Sequence, residues 1–127
     1  MTRGGWKTED LQPRLVSGPA DYAYSTDGPI RFVAVAREDG ILGYVWASDA
    51  DGAAGFEPRP AAGDDAFNAG VSWRGKLREA KARDRTPTEA LADLAGDPGT
   101  PVMGRVLPGS DGEATGLAAL RELATTS

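Results

Sequence analysis

Between Thr26 and Phe56 the dipeptide Asp-Gly occurs three times, at Asp27, Asp39 and Asp51, at an interval of twelve residues. The intervals contain "PIRFVAVARE" and "ILGYVWAS", runs rich in Ile, Val, Phe, Tyr and Trp that suit half-buried strands. Asp-Gly fits the two central positions of a tight hairpin loop, where both residues take positive φ. One strand plus one tight turn fills each interval. With "DYAYST" ahead of Asp27, the pattern predicts an antiparallel β-meander of three to four strands. The sequences around the three pairs share nothing beyond the dipeptide, so this is punctuation between strands and not a repeat.

Two-residue loops at Asp27-Gly28 and Asp39-Gly40 would set the register and sort every side chain to a face. That register puts Val35 opposite Tyr44 and Val33 opposite Trp46. Tyr22, Tyr24, Arg31, Val33, Val35, Arg37, Tyr44 and Trp46 then share one face. Phe32, Ile30, Ala34, Ala36, Val45 and Ala47 share the other, whose small residues suit close helix packing. On this reading the large amphipathic rings lie on the face away from the core. Rings with one polar end suit an interface or a pocket wall.

Beyond Gly52 the texture changes. Residues 49–63 are rich in Gly, Ala and Pro and read as a long loop. From Asp64 to about Asp84 the period is helical, with Ala66, Phe67, Gly70, Val71, Trp73, Leu77 and Ala80 on one half of the wheel. Gly70 lies on that apolar side, where it permits close packing on a sheet. Thr86-Pro87-Thr88-Glu89 combines an N-cap, a first-turn proline and a capping-box glutamate, and opens a second helix that stops at Gly96. Val102–Leu107 reads as a strand. Ser110-Asp111-Gly112-Glu113 opens a last helix by the same logic, with Leu117, Leu120 and Leu123 inside. The expected fold is a single α+β domain over residues 1–127, a meander packed on one face by two to three helices. Residues 1–12 and 125–127 are expected to be loose.

The chain has no His and no Cys. Ser-His-Asp and Cys-His machinery, disulfides and His- or Cys-ligated metals are thereby excluded within it. Oxygen-ligated calcium fares little better. With Gly52 at the glycine position of an EF-type loop, Ala47 and Pro58 fall where acidic ligands belong. Asp49, Asp51, Asp64 and Asp65 are assigned to turns and a helix start. No metal site, catalytic residue or cofactor is expected. No window is long and apolar enough to span a membrane, and the lack of Cys fits a cytoplasmic protein.

The net charge is −5, but Trp73–Arg85 holds six basic and two acidic residues. Arg74, Arg78, Lys81 and Arg85 fall within a narrow sector of the wheel and form a basic stripe. A solvated helix face accounts for such a stripe, as does a site for phosphate or an acidic partner. The segment 86–108 distantly resembles a helix-turn-helix, with Thr86-x-x-Glu89 and Leu94-Ala95-Gly96 as first helix and turn. That resemblance implies a recognition helix over 100–107, where Pro98, Gly99 and Gly104 depart from the pattern. The acidic balance also counts against nucleic acid.

These residues specify no catalytic signature. The leading expectation is a non-catalytic interaction module that forms homo-oligomers through Tyr22, Tyr44 and Trp46. The rival is a pocket on the same face for a small anionic ligand, either a binding site or the site of an enzyme without His or Cys, with Arg31 or Arg37 holding the anionic group. A third reading is a nucleic-acid-associated factor using the basic helix 73–85.

Overall fold

The computed structural model describes residues 21–126. Residues 1–20, which include the expected loose start, and Ser127 lie outside the described residues. The class is α+β, as the sequence indicates. Strands β1 (Ile30–Arg37), β2 (Gly40–Ser48) and β3 (Ala53–Pro58) are followed by helices α1 (Gly63–Ala82) and α2 (Pro87–Ala95). Two short strands, β4 (Arg105–Val106) and β5 (Gly112–Ala114), precede helix α3 (Leu117–Thr126). The sheet is antiparallel throughout, in the order β3-β2-β1-β4, with β5 also on β1.

The strands β4 and β5 act as one interrupted edge. β4 pairs with Val35 and Ala36 and β5 with Ile30 to Phe32, so they run in tandem along β1. Between them the Ala34 amide donates to Ser110 Oγ at 3.0 Å, so a side chain fills the gap in the ladder. The expected strand over 102–107 is thus reduced to two residues. No capping box forms at Ser110–Glu113: Gly112 and Glu113 belong to strand β5, and α3 begins after it. Leu117 and Leu120 are buried as expected, whereas Leu123 is exposed and Ala124 takes the inward position.

The first expected hairpin does not form. A two-residue loop at Asp27-Gly28 would be closed by the N–H of residue 29, and that residue is Pro29, which has none. Ala23 instead makes an isolated parallel bridge with Ala53. The second hairpin forms with its turn at Glu38 and Asp39, and Gly40, at φ +139°, already pairs with Arg37. A bulge at Leu42 then shifts the ladder, giving Phe32↔Trp46, Val33↔Val45, Ala34↔Tyr44 and Val35↔Gly43. Moving the turn by one residue changes the register by two, which preserves faces. The bulge takes one residue back, leaving a net shift of one, which inverts them. Trp46 and Tyr44 therefore share a face with Phe32 and Ala34, and the expected face map is overturned.

Helices cover both faces. Val33, Val35, Val45, Ala47 and Phe56 pack with Trp73, Leu77, Leu91 and Leu94 of α1 and α2. Ile30, Ala34, Tyr44 and Trp46 pack with Leu117, Leu120 and Ala124 of α3. Strand β3 lies in the stretch expected to be loop, and its small residues are what the packing needs. A Cβ on Gly55 would stand 2.9 Å from the Trp46 ring. Phe56 inserts between Gly43 and Gly70, so Gly70 does permit the close helix–sheet approach its place on the wheel suggests. The buried seam of α1 is narrower than the apolar half-wheel: Ala69, Trp73 and Ala80 face inward, while Phe67 and Val71 are exposed.

Candidate functional site

The aromatic residues proposed as an open face are distributed across the molecule. Trp46 is 3% exposed and Tyr44 is buried beside it, both under α3. Phe32 meets Tyr44 edge-on, with ring centroids 5.8 Å apart. Tyr22 is buried on the opposite side of the sheet, and Tyr24 is 76% exposed. The sheet face is therefore covered by the chain's own α3. Arg31 and Arg37 sit at the two ends of β1. Arg31 makes a long, exposed ion pair with Glu113 at 3.5 Å, and Arg37 is held by Asp65 at 2.6 Å and faces Asp39 at 3.8 Å.

The basic stripe is shorter than its sequence pattern. Helix α1 ends at Ala82, and Asp84 takes φ +60°, which Asp tolerates better than most residues. The Arg85 amide then donates to the Ala80 carbonyl at 3.1 Å, and the Asp84 amide to that of Lys81 at 3.0 Å. This is a Schellman closure with aspartate in glycine's usual place. Arg85 consequently leaves the helix and forks onto Asp93 of α2, at 2.9 and 3.1 Å, with Glu89 nearby. Its hydrogen bonds to Asp93 raise its pKa further.

Tyr22 is fastened to this turn. Its hydroxyl donates to the Arg85 carbonyl at 2.7 Å, and the Lys81 ammonium lies 6.0 Å from its ring centroid. Burial pushes the Tyr22 phenol above its ordinary pKa, so it remains a donor over the physiological range. Asp21, one residue earlier, binds Arg78 at 2.6 Å. Six of the ten residues singled out in the sequence therefore meet where segment 21–24 crosses α1. They are Tyr22, Tyr24, Arg74, Arg78, Lys81 and Arg85.

Two adjoining depressions share Asp21, Tyr22 and Tyr24. One, of about 510 Å³, is walled by Lys81, Arg85, Pro87 and the Asp51-Gly52 turn. The other, about 40 Å³, is walled by Arg74, Leu77, Arg78 and Gly55. Arg78 and Arg85 are committed to carboxylates, and the Asp51 carboxylate accepts from Thr26. Arg74 and Lys81 make no ion pair among the described residues. No pattern in the sequence joined Tyr24 to the stripe, because 50 residues separate it from Arg74.

A larger groove, about 710 Å³, runs between the β1–β2 turn and residues 98–107. Its lining carries Arg37 and Arg105 together with Glu38 and Asp39, so its charges balance. Residues 100–104 form a tight turn, with Thr100 and Gly104 exchanging backbone hydrogen bonds. The recognition helix implied by the helix-turn-helix resemblance is therefore not formed. Asp49 Oδ1 accepts from the Thr88 amide at 2.9 Å, tying the β2–β3 turn to the start of α2, and Asp64 and Asp65 occupy the first turn of α1. Among the described residues no three Asp or Glu side chains gather as a metal set, and no helix is long and apolar enough to cross a membrane. The chain matches no protein-family model, no curated protein and no solved structure.

Proposed function

We propose that this protein is a non-catalytic binding module that takes a small anionic ligand where Tyr24 meets the second half of α1. The observation that carries this reading is the pair of cations, Arg74 and Lys81, that no carboxylate neutralises among the described residues. They flank an exposed tyrosine ring beside a groove of about 510 Å³. Lys81 supplies a point charge, Arg74 a planar fork of donors, and Tyr24 a face for a ring or an apolar stem. This is the anionic-pocket expectation moved from the sheet face to the basic stripe. A small anion suits the site better than nucleic acid, because an extended polyanion needs more free cations than two, on a chain of lower negative charge.

The test is a thermal-shift titration with phosphate-, sulfate- and carboxylate-bearing compounds, run on the wild type and on Arg74→Ala/Lys81→Ala. A ligand at about a hundred times its dissociation constant stabilises by roughly 2.7 kcal/mol, a readily measured shift. The expected result is a hit that the double variant loses while its unliganded melting temperature is unchanged. Equal stabilisation of both proteins, or no stabilising anion, defeats the proposal.

A further inference from the structure

We infer that two copies of this chain associate through the outward face of α1, with the helices antiparallel about a twofold axis at Val71. The inference does not rest on Arg74 or Lys81, the two cations that carry the anion site. Phe67 and Val71 are 56% and 57% exposed, one helical turn apart, and no element of the described chain covers them. One turn further on lies Gly75, where an added Cβ would meet nothing within 4 Å. A helix face that offers two large apolar side chains and then a depression is complementary to its own reverse. Antiparallel pairing about Val71 sets Val71 against its own copy and lays Phe67 over the Gly75 of the second copy.

Charge selects the same arrangement. Asp64 and Asp65 open α1 and Lys81 closes it. Pairing about Val71 sets Asp64, which makes no ion pair among the described residues, toward the half of the second copy's helix that carries Lys81 and Arg78, the latter already paired with its own Asp21. A parallel pairing would align like charges and the two helix dipoles instead. The contact is isologous and closes on itself, so it stops at a dimer. One helix face supplies less than the roughly 1,600 Å² of a standard interface, so the dimer should be of the weak, reversible class.

The chain has no cysteine, so Val71→Cys introduces a single thiol at the twofold axis. Mild oxidation should convert this variant to a disulfide-linked dimer much faster than Ser72→Cys, whose side chain points about 100° away around the helix. Sedimentation of the wild type should show a concentration-dependent monomer–dimer equilibrium, and Phe67→Asp should raise its dissociation constant at least about tenfold. Phe67 is exposed, so the far-UV circular dichroism and melting temperature of that variant at low concentration should match the wild type. A wild type that remains monomeric up to about 1 mM, or Val71→Cys that cross-links no faster than Ser72→Cys, overturns the proposal. Arg74→Ala/Lys81→Ala should still dimerise, which separates this result from failure of the anion site.

Discussion

The two faces of the sheet each bury a tryptophan, and they do so in opposite ways. On one face the indole comes from a helix: Trp73 of α1 is fully buried, and its Nε1 donates to the Met103 carbonyl at 2.8 Å. On the other it comes from the sheet: Trp46 of β2 lies flat against Gly55 of the neighbouring strand, roofed by Leu117, Leu120 and Ala124 of α3. The first face is closed by helices of 20 and 9 residues and the second by a single helix of 10. An aromatic brought in by a helix can reach across to satisfy its polar atom. Trp46, carried by the sheet itself, instead has its strand neighbour reduced to glycine.

The contrast is broken most directly by truncating each indole. Trp73→Ala should cost about 3–5 kcal/mol, because it opens a cavity and also leaves a buried carbonyl without its donor. Trp46→Ala should fall at the lower end of the same range, since α3 has fewer neighbours holding it in place and can settle into the space. Denaturant unfolding of both variants at low concentration measures the difference. A larger loss at Trp46 would make α3, and not α1, the principal closure of the core.

A second, smaller effect sharpens the glycine argument. Gly55→Val should destabilise by about 1–3 kcal/mol, because its Cβ would press on the Trp46 ring at a separation that real side chains do not adopt. Combining it with Trp46→Ala should recover part of that loss, a coupling visible in a double-mutant cycle. Simple additivity would show that the two residues are not in contact.

The smallest expected effect lies in pH dependence on the α1–α2 side. Lys76 and Asp97 pair at 2.8 Å, joining α1 to the turn after α2, and Asp97 also accepts from the Gly99 amide. The hydrogen bond from Lys76 holds the Asp97 carboxyl below its ordinary value near 3.8, and the same bond raises Lys76 above 10.5. The Asp97 contribution is therefore complete above about pH 4 and is lost as pH falls through the depressed folded value. The Lys76 contribution is complete up to about pH 10 and is lost as pH rises through the raised one. Asp97→Asn should flatten both limbs of the stability profile, and unchanged limbs would show that the pair contributes nothing.

Much of this molecule was legible without coordinates where the governing interactions are local. Thr86, Pro87 and Glu89 form a complete capping box at α2, with the Glu89 amide and carboxylate both engaged with Thr86. That outcome depends on four consecutive residues, and so the sequence alone determines it. The extent of α1, the β1–β2 hairpin and the α+β class follow from periodicity over one or two dozen residues in the same way. Pro29 also carried a local signal, its missing N–H, against the hairpin that Asp27-Gly28 suggested.

The faces were a tertiary decision. A bulge at Leu42 converts an even register shift into an odd one, and nothing in "GILGYVWAS" separates a bulged strand from a regular one. With the bulge, Leu42 is buried in the same core as Val35 and Phe56, and Gly43 lies against Phe56 of the next strand, contacts that the strand's own sequence does not state. The same reason hid strand β3: Ala53, Ala54 and Gly55 have little intrinsic preference for a strand, and Gly55 is required only because the Trp46 ring of the neighbouring strand lies against it. It also hid the meeting of Tyr24 with Arg74 and Lys81. Local patterns state which backbone shapes a segment prefers; which side chains share a surface is settled when distant segments compete for the same space.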